Sequence, residues 1–191
     1  MRRIVSLALL VVPVVTLAQA ASPLPVTFLP GGAGAEGCYA QWSTRSAVHA
    51  YSAPTTVSTR LRTIDAERRI DANDYSESLT AVLEPGLVRA RQDVRFQGAQ
   101  LGTGRSEAIR LSRGDELTVL AAGPEESVYF AFGTAIYAGF VPGFYGGPEV
   151  EVIRQPVTEL WVRLIEHDAE RPASWINTAQ AGVAPRESFC L

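Results

Sequence analysis

Ser112-Arg113-Gly114-Asp115-Glu116-Leu117-Thr118-Val119-Leu120-Ala121-Ala122-Gly123-Pro124 is the stretch that decides the fold class. Its first four residues are turn formers, 116–121 carries apolar and β-branched side chains at the spacing of a strand, and Gly123-Pro124 closes it. The same grammar recurs on both sides, at 47–51, 60–64, 69–73, 79–83 and 87–91, then at 128–132, 136–141, 150–153, 159–165 and 174–178. Glu84-Pro85-Gly86 reads as a tight turn between two of these runs. No window carries a capped apolar stripe of helical period, and the best helical segment, 65–69, is too short to hold itself. The chain is therefore expected to be all-β. About eleven short strands suit one sandwich or two small barrels, and the spacing of turns favours two modules. Gly98, Gly102 and Gly104 place the expected boundary at 98–104, giving modules at 38–97 and 98–191.

The N-terminus reads differently. Arg2 and Arg3 precede an apolar run at 4–17, and Ala18-Gln19-Ala20 supplies small residues for cleavage, the pattern of a secretory signal peptide over 1–20. The run is shorter than the ~20 residues needed to span a bilayer core and contains Pro13, so no transmembrane segment is expected after cleavage. Losing 20 of the 191 residues leaves 171, and losing Arg2 and Arg3 takes the formal charge from −3 to −5. Residues 21–37, rich in Pro and Gly, are expected to form an extended lead-in. The implied location is periplasmic or secreted. In that oxidising setting the only two cysteines, Cys38 and Cys190, are expected to form one disulfide clasping the two ends of the mature chain, with Trp42 packed near it.

Composition excludes several chemistries. The chain contains no lysine, so Schiff-base catalysis and a P-loop lysine are ruled out. Its arginines are interleaved with acids, which argues against a nucleic-acid partner. His49 and His167 with scattered carboxylates do not make a zinc set, so no metal and no cofactor are expected. His167, flanked by Glu166 and Asp168, reads as a solvated turn. There is no G-x-S-x-G elbow and no H-E-x-x-H, and the acid pairs Glu125/Glu126 and Glu149/Glu151 read as a turn and a solvent face, so no catalytic residue is assigned.

The run Leu111-Ser112-Arg113-Gly114-Asp115-Glu116-Leu117-Thr118-Val119-Leu120 resembles the L-x-x-G-D-x-L-x-V-L strand of bacterial SH3-like domains. Leu160-Trp161-Val162-Arg163-Leu164, followed after a turn by Ala173-Ser174-Trp175-Ile176, is similar to the W-x-x-V … G-W-V hairpin of that family. Ala173 and Ser174 stand where the family has glycine, and about 30 residues separate the two signatures. A fainter copy runs from Val48 to Asp71. The resemblance implies one or two small SH3-like barrels, the second with a long aromatic insertion, acting as binding modules of the cell envelope without catalytic residues of their own.

Within that insertion, Ser127 to Thr158, the segment from Val128 to Pro148 interleaves aromatics with glycines. Alternation assigns Phe130 and Phe132 to one strand face and Tyr129 to the other, leaving Tyr137, Phe144 and Tyr145 as the candidate ligand-binding residues. Trp161 and Trp175 are expected in the core. The function expected is a non-enzymatic binding or scaffolding protein recognising peptidoglycan or an envelope protein. The alternative is a small envelope hydrolase or hydrolase inhibitor.

Overall fold

The computed structural model describes residues 27–30, 38–39, 41–71, 73–165, 172–186 and 189–190. The expected signal peptide, and His167 with its acidic neighbours, lie outside these residues. Among the described residues there is no helix, and the chain is all β. The strands are β1 (Thr27–Pro30), β2 (Cys38–Tyr39), β3 (Trp42–Thr44), β4 (Val48–Tyr51), β5 (Arg60–Ile64), β6 (Arg69–Ile70) and β7 (Tyr75–Glu84). Then come β8 (Gly86–Ala90), β9 (Val94–Gln100), β10 (Ser106–Leu111), β11 (Glu116–Ala122), β12 (Val128–Phe132), β13 (Ala135–Gly139) and β14 (Val150–Arg154). The last are β15 (Val157–Leu164), β16 (Ser174–Asn177), β17 (Val183–Pro185) and β18 (Phe189–Cys190).

These strands pair antiparallel in a six-stranded sheet ordered β1-β7-β15-β16-β4-β5 and a seven-stranded sheet ordered β10-β9-β13-β12-β11-β8-β14. A three-stranded sheet, β17-β3-β6, and the pair β18-β2 complete the set. The order is nested. Everything from β8 to β14 lies in the seven-stranded sheet, while β7 just before it and β15 just after it pair with each other, Leu160 opposite Thr80 and Trp161 opposite Leu79. The chain enters the inner unit through Pro85 and leaves it through Gln155-Pro156.

The expected boundary at 98–104 falls inside this arrangement. The 98–104 segment begins inside β9 and continues through the β9–β10 turn, and both strands belong to one sheet. The two family-like signatures also separate: β11 lies in the seven-stranded sheet, whereas the tryptophan hairpin β15–β16 joins β4 and β5, the region of the fainter copy. Neither large sheet closes into the expected barrel. β10 and β14 remain edges of one, β1 and β5 of the other. At β14 a bulge between Val152 and Arg154, followed by Pro156, turns the chain away before it can pair further. The lead-in is partly regular, because its residues Thr27–Pro30 pair with β7.

The seven-stranded sheet directs Val88, Phe96, Ile109, Leu117, Val119, Val128, Phe130 and Tyr137 into one cluster, joined by Val141 and Phe144 from the loop after β13. Among the described residues no side chain of another sheet enters that cluster, so the sheet curls over its own apolar face. Burying such a side chain is worth about 1.5–3 kcal/mol. On its back, Leu120, Ala121 and Tyr129 meet Leu29 and Val82 of the six-stranded sheet, and this seam joins the two units. The six-stranded sheet packs Val48, Ala50, Ile64, Val162, Leu164 and Ile176 against Trp42 and Ile70 of the three-stranded sheet. Its opposite face gathers Tyr51, Ala81, Trp161 and Trp175, so β16 is buried on both faces. Both tryptophans are thus in the core. Trp42 meets Tyr75 edge to face, with ring centroids 5.6 Å apart.

Candidate functional site

Tyr137, Phe144 and Tyr145 do not form an exposed platform. Tyr137 is 5% exposed and stacks on Phe130 with centroids 5.7 Å apart. Its hydroxyl donates to Glu107 Oε2 at 2.6 Å, which with burial and the carboxylate's charge holds the phenol above its ordinary value near 10. It lies on the inner face of β13, which faces the curled core. Phe144 is buried in the same cluster, and only Tyr145 reaches solvent. The Tyr145 ring stands edge to face against Phe144 at 4.9 Å, and its hydroxyl donates to the Ser127 carbonyl at 3.0 Å. Phe140, not among the candidates, is the other exposed aromatic of this loop. The Glu125/Glu126 pair occupies the expected turn, with both residues at positive φ, 52° and 56°. Burial foremost, and Glu126's charge next, raise the Tyr145 phenol.

The more developed concavity lies elsewhere, at the β5 end of the six-stranded sheet. It is a cleft of about 660 Å³ lined by residues 61–65 of β5 and the turn after it, by Arg68, and by Pro172 and Ser174 at the start of β16. Thr44, 1% exposed, ties down the turn that borders it. Its hydroxyl donates to the Asp65 carbonyl at 2.7 Å and accepts from the Arg68 N–H at 3.0 Å, while its own N–H donates to the Arg68 carbonyl at 3.0 Å. Those bonds fix the 65–68 turn, in which Glu67 takes φ 65°. Asp74 stands 3.8 Å from the Arg68 guanidinium, and Asp74 is itself set by the Asp71 N–H at 2.9 Å. Across the cleft the Arg62 guanidinium donates to Ser174 Oγ at 3.4 Å.

No family model, curated protein or solved structure matches this chain. The cleft's chemistry therefore has to be read from its own groups.

Among the described residues the cleft is lined by two arginines, Arg62 and Arg68, and by Asp65. Guanidiniums bind carboxylates and phosphates through paired N–H donors. Among the described residues no three histidine, cysteine or acidic side chains group as metal ligands. His49 lies on β4, where its backbone N–H and carbonyl exchange 3.0 Å bonds with the Gln180 side chain, and its buried Nδ1 has no partner among the described residues. Glu149 is half-buried beside Gly143 and Gly147, whereas Glu151 lies opposite Arg89 and 3.9 Å from Arg91, so the second acid pair serves two different environments. Sequence reasoning missed the cleft because Arg60 and Arg62 read only as part of a strand, and Arg68 and Arg69, between Asp65 and Asp71, as arginines interleaved with acids. Their signal was local: two arginines two residues apart on one short strand.

Proposed function

We propose that this protein is a non-enzymatic binding or scaffolding component of the cell envelope, exported by its N-terminal signal and engaging its ligand through the β5 cleft. The observation that carries the reading is the cleft, a preformed concavity presenting Arg62 and Arg68. Ligand sites concentrate in such cavities, and the carboxylates of peptidoglycan stems or of an acidic envelope protein fit the guanidiniums. We read the inner unit as an elaborated, open SH3-like fold, a reading supported by the L-x-x-G-D-x-L-x-V-L run and by one core enclosed by one curled sheet. Cosedimentation of the mature protein with intact sacculi tests the wall form. The wild type is expected to pellet and an Arg62→Ala/Arg68→Ala variant to stay in solution; no pelleting above a control protein rejects the wall form.

The disulfide belongs to the same proposal. β2 and β18 pair with Cys38 directly opposite Cys190, a backbone juxtaposition compatible with a bridge in an oxidising compartment. Mass spectrometry of unreduced mature protein is expected to show a species lighter than the dithiol by two hydrogens, and free thiols on both residues would remove the clasp.

A further inference from the structure

On the outer face of the seven-stranded sheet, charges are matched where β8 meets its two neighbours. Arg89 stands directly opposite Glu116 of β11 and Glu151 of β14, and its guanidinium reaches Glu116 Oε1 at 2.7 Å. Arg91 lies 3.9 Å from Glu151. The β9–β10 hairpin of the same sheet departs from this pattern, because Arg95 is directly opposite Arg110. The flanking pairs, Val94 with Leu111 and Phe96 with Ile109, are buried in the core, so both arginines project from the outer face, where both are exposed. Directly opposed residues have Cβ atoms about 4.5–5.5 Å apart, and like charges placed so are destabilising. Among the described residues neither guanidinium reaches a carboxylate.

The two arginines also line a hollow of about 240 Å³ at the end of the hairpin away from its turn, with Asp93 and Ser112 beside them. The nearby acids are engaged by backbone. Asp93 Oδ1 accepts the Arg113 N–H and Asp115 Oδ2 the Ser112 N–H, both at 2.8 Å. These bonds fix the turn after β10. Among the described residues the lining holds two arginines against one acid, Asp93.

We infer that Arg95 and Arg110 form a second binding site, separate from the β5 cleft, which takes a phosphate group. An anion between the two guanidiniums replaces their repulsion with two sets of charge-assisted hydrogen bonds. The two oxygens of a carboxylate satisfy one guanidinium fork, whereas the three acceptor oxygens of a phosphate can engage both forks and the Ser112 hydroxyl. Free phosphate and a phosphomonoester fixed in a lipid headgroup share this chemistry, and the experiment separates them.

The test titrates the full mature protein with inorganic phosphate at constant ionic strength, balanced with chloride and followed by the Nε–H NMR signals of the arginines. Those of Arg95 and Arg110 are expected to shift saturably, and Arg110→Glu to weaken binding at least about tenfold. That variant reproduces the Arg89–Glu116 arrangement on β9–β10, so it should unfold thermally at or above the wild-type midpoint, which separates loss of the site from loss of the fold. Arg95→Gln, which removes one fork without adding a charge, should show the same loss. Flotation with phosphatidylcholine vesicles containing phosphatidic acid assigns the source. Wild type floating while Arg110→Glu does not places the phosphate in a headgroup; saturable titration without flotation places it in solution. Shifts no larger than chloride alone produces, together with no flotation, overturn the proposal. A saturable response or flotation that both variants retain overturns it too, by placing the anion elsewhere.

Discussion

Replacing Phe130 with alanine is expected to lower stability by about 3–5 kcal/mol, the range for truncating a fully buried ring. Phe130 has no exposed surface, stacks on Tyr137 at 5.7 Å and takes Phe96 edge-on at 5.5 Å. It is the largest side chain without exposed surface in a cluster enclosed by one sheet. Among the described residues no second layer stands over this core to move inward and fill a cavity, so relaxation should recover little. Urea unfolding followed by tryptophan fluorescence also measures how tightly the units are coupled. All three tryptophans, Trp42, Trp161 and Trp175, lie outside the inner unit. If the seam of Leu29, Val82, Leu120 and Tyr129 couples the units, the tryptophan transition moves with the mutation. If it does not move while circular dichroism splits into two phases, the units unfold independently. Phe140→Ala, at an exposed position, is the control and should stay within about 0.5 kcal/mol of the wild type.

The second large effect is expected at Gly139. A Cβ there would lie 2.4 Å from the Gln97 carbonyl oxygen and 3.2 Å from Gly98 Cα, both backbone atoms of neighbouring β9. Backbone held in a ladder cannot yield as a flexible side chain does, so Gly139→Val must separate β13 from β9. We expect a loss of about 3 kcal/mol, at the upper end for overpacking, with faster amide exchange in β9 and β10. Wild-type stability in this variant would mean that β9 and β13 are not in close register. Gly98 faces the complementary constraint. Its missing side chain leaves room for the Phe130 ring, whose Cζ would stand 2.9 Å from a Cβ.

These glycines also show what the sequence left open. Gly98, Gly102 and Gly104 suit a linker and a long barrel loop equally, and in the structure Gly98 is a strand residue that makes room for a ring, while Gly102 and Gly104 form the turn. The alternation was visible in Val94, Arg95, Phe96 and Gln97, buried and exposed by turns, but the glycine cluster outweighed it. Strand class was legible because period-two patterning depends on a local balance of apolar and polar faces. Nesting was not, because the pairing of β7 with β15 is a long-range choice that no local pattern encodes. The burial of Tyr137 and Phe144 was hidden for a related reason. Alternation in the aromatic segment placed Phe130 and Tyr129 on opposite faces, but the loop after β13 folds back so that Phe144 enters the core and Phe140 leaves it. The arginines of the cleft were legible as residues but not as a group, since a turn tied by Thr44, more than twenty positions upstream, brings Arg68 to β5.

The paired crossings at Pro85 and Gln155-Pro156 meet at one place, where a Cβ on Gly86 would fall 2.7 Å from both the Arg154 carbonyl oxygen and the Pro156 ring. This shapes the order of synthesis. β7 emerges from the ribosome with β1 already available but with its other neighbour still untranslated, and that neighbour arrives only after the whole of 86–154 has been made. The inner unit, whose strands all find partners within their own segment, can complete its sheet while the outer one waits. Until β15 is delivered, one side of β7 is an unpaired edge, and that interval is when a chaperone would matter most.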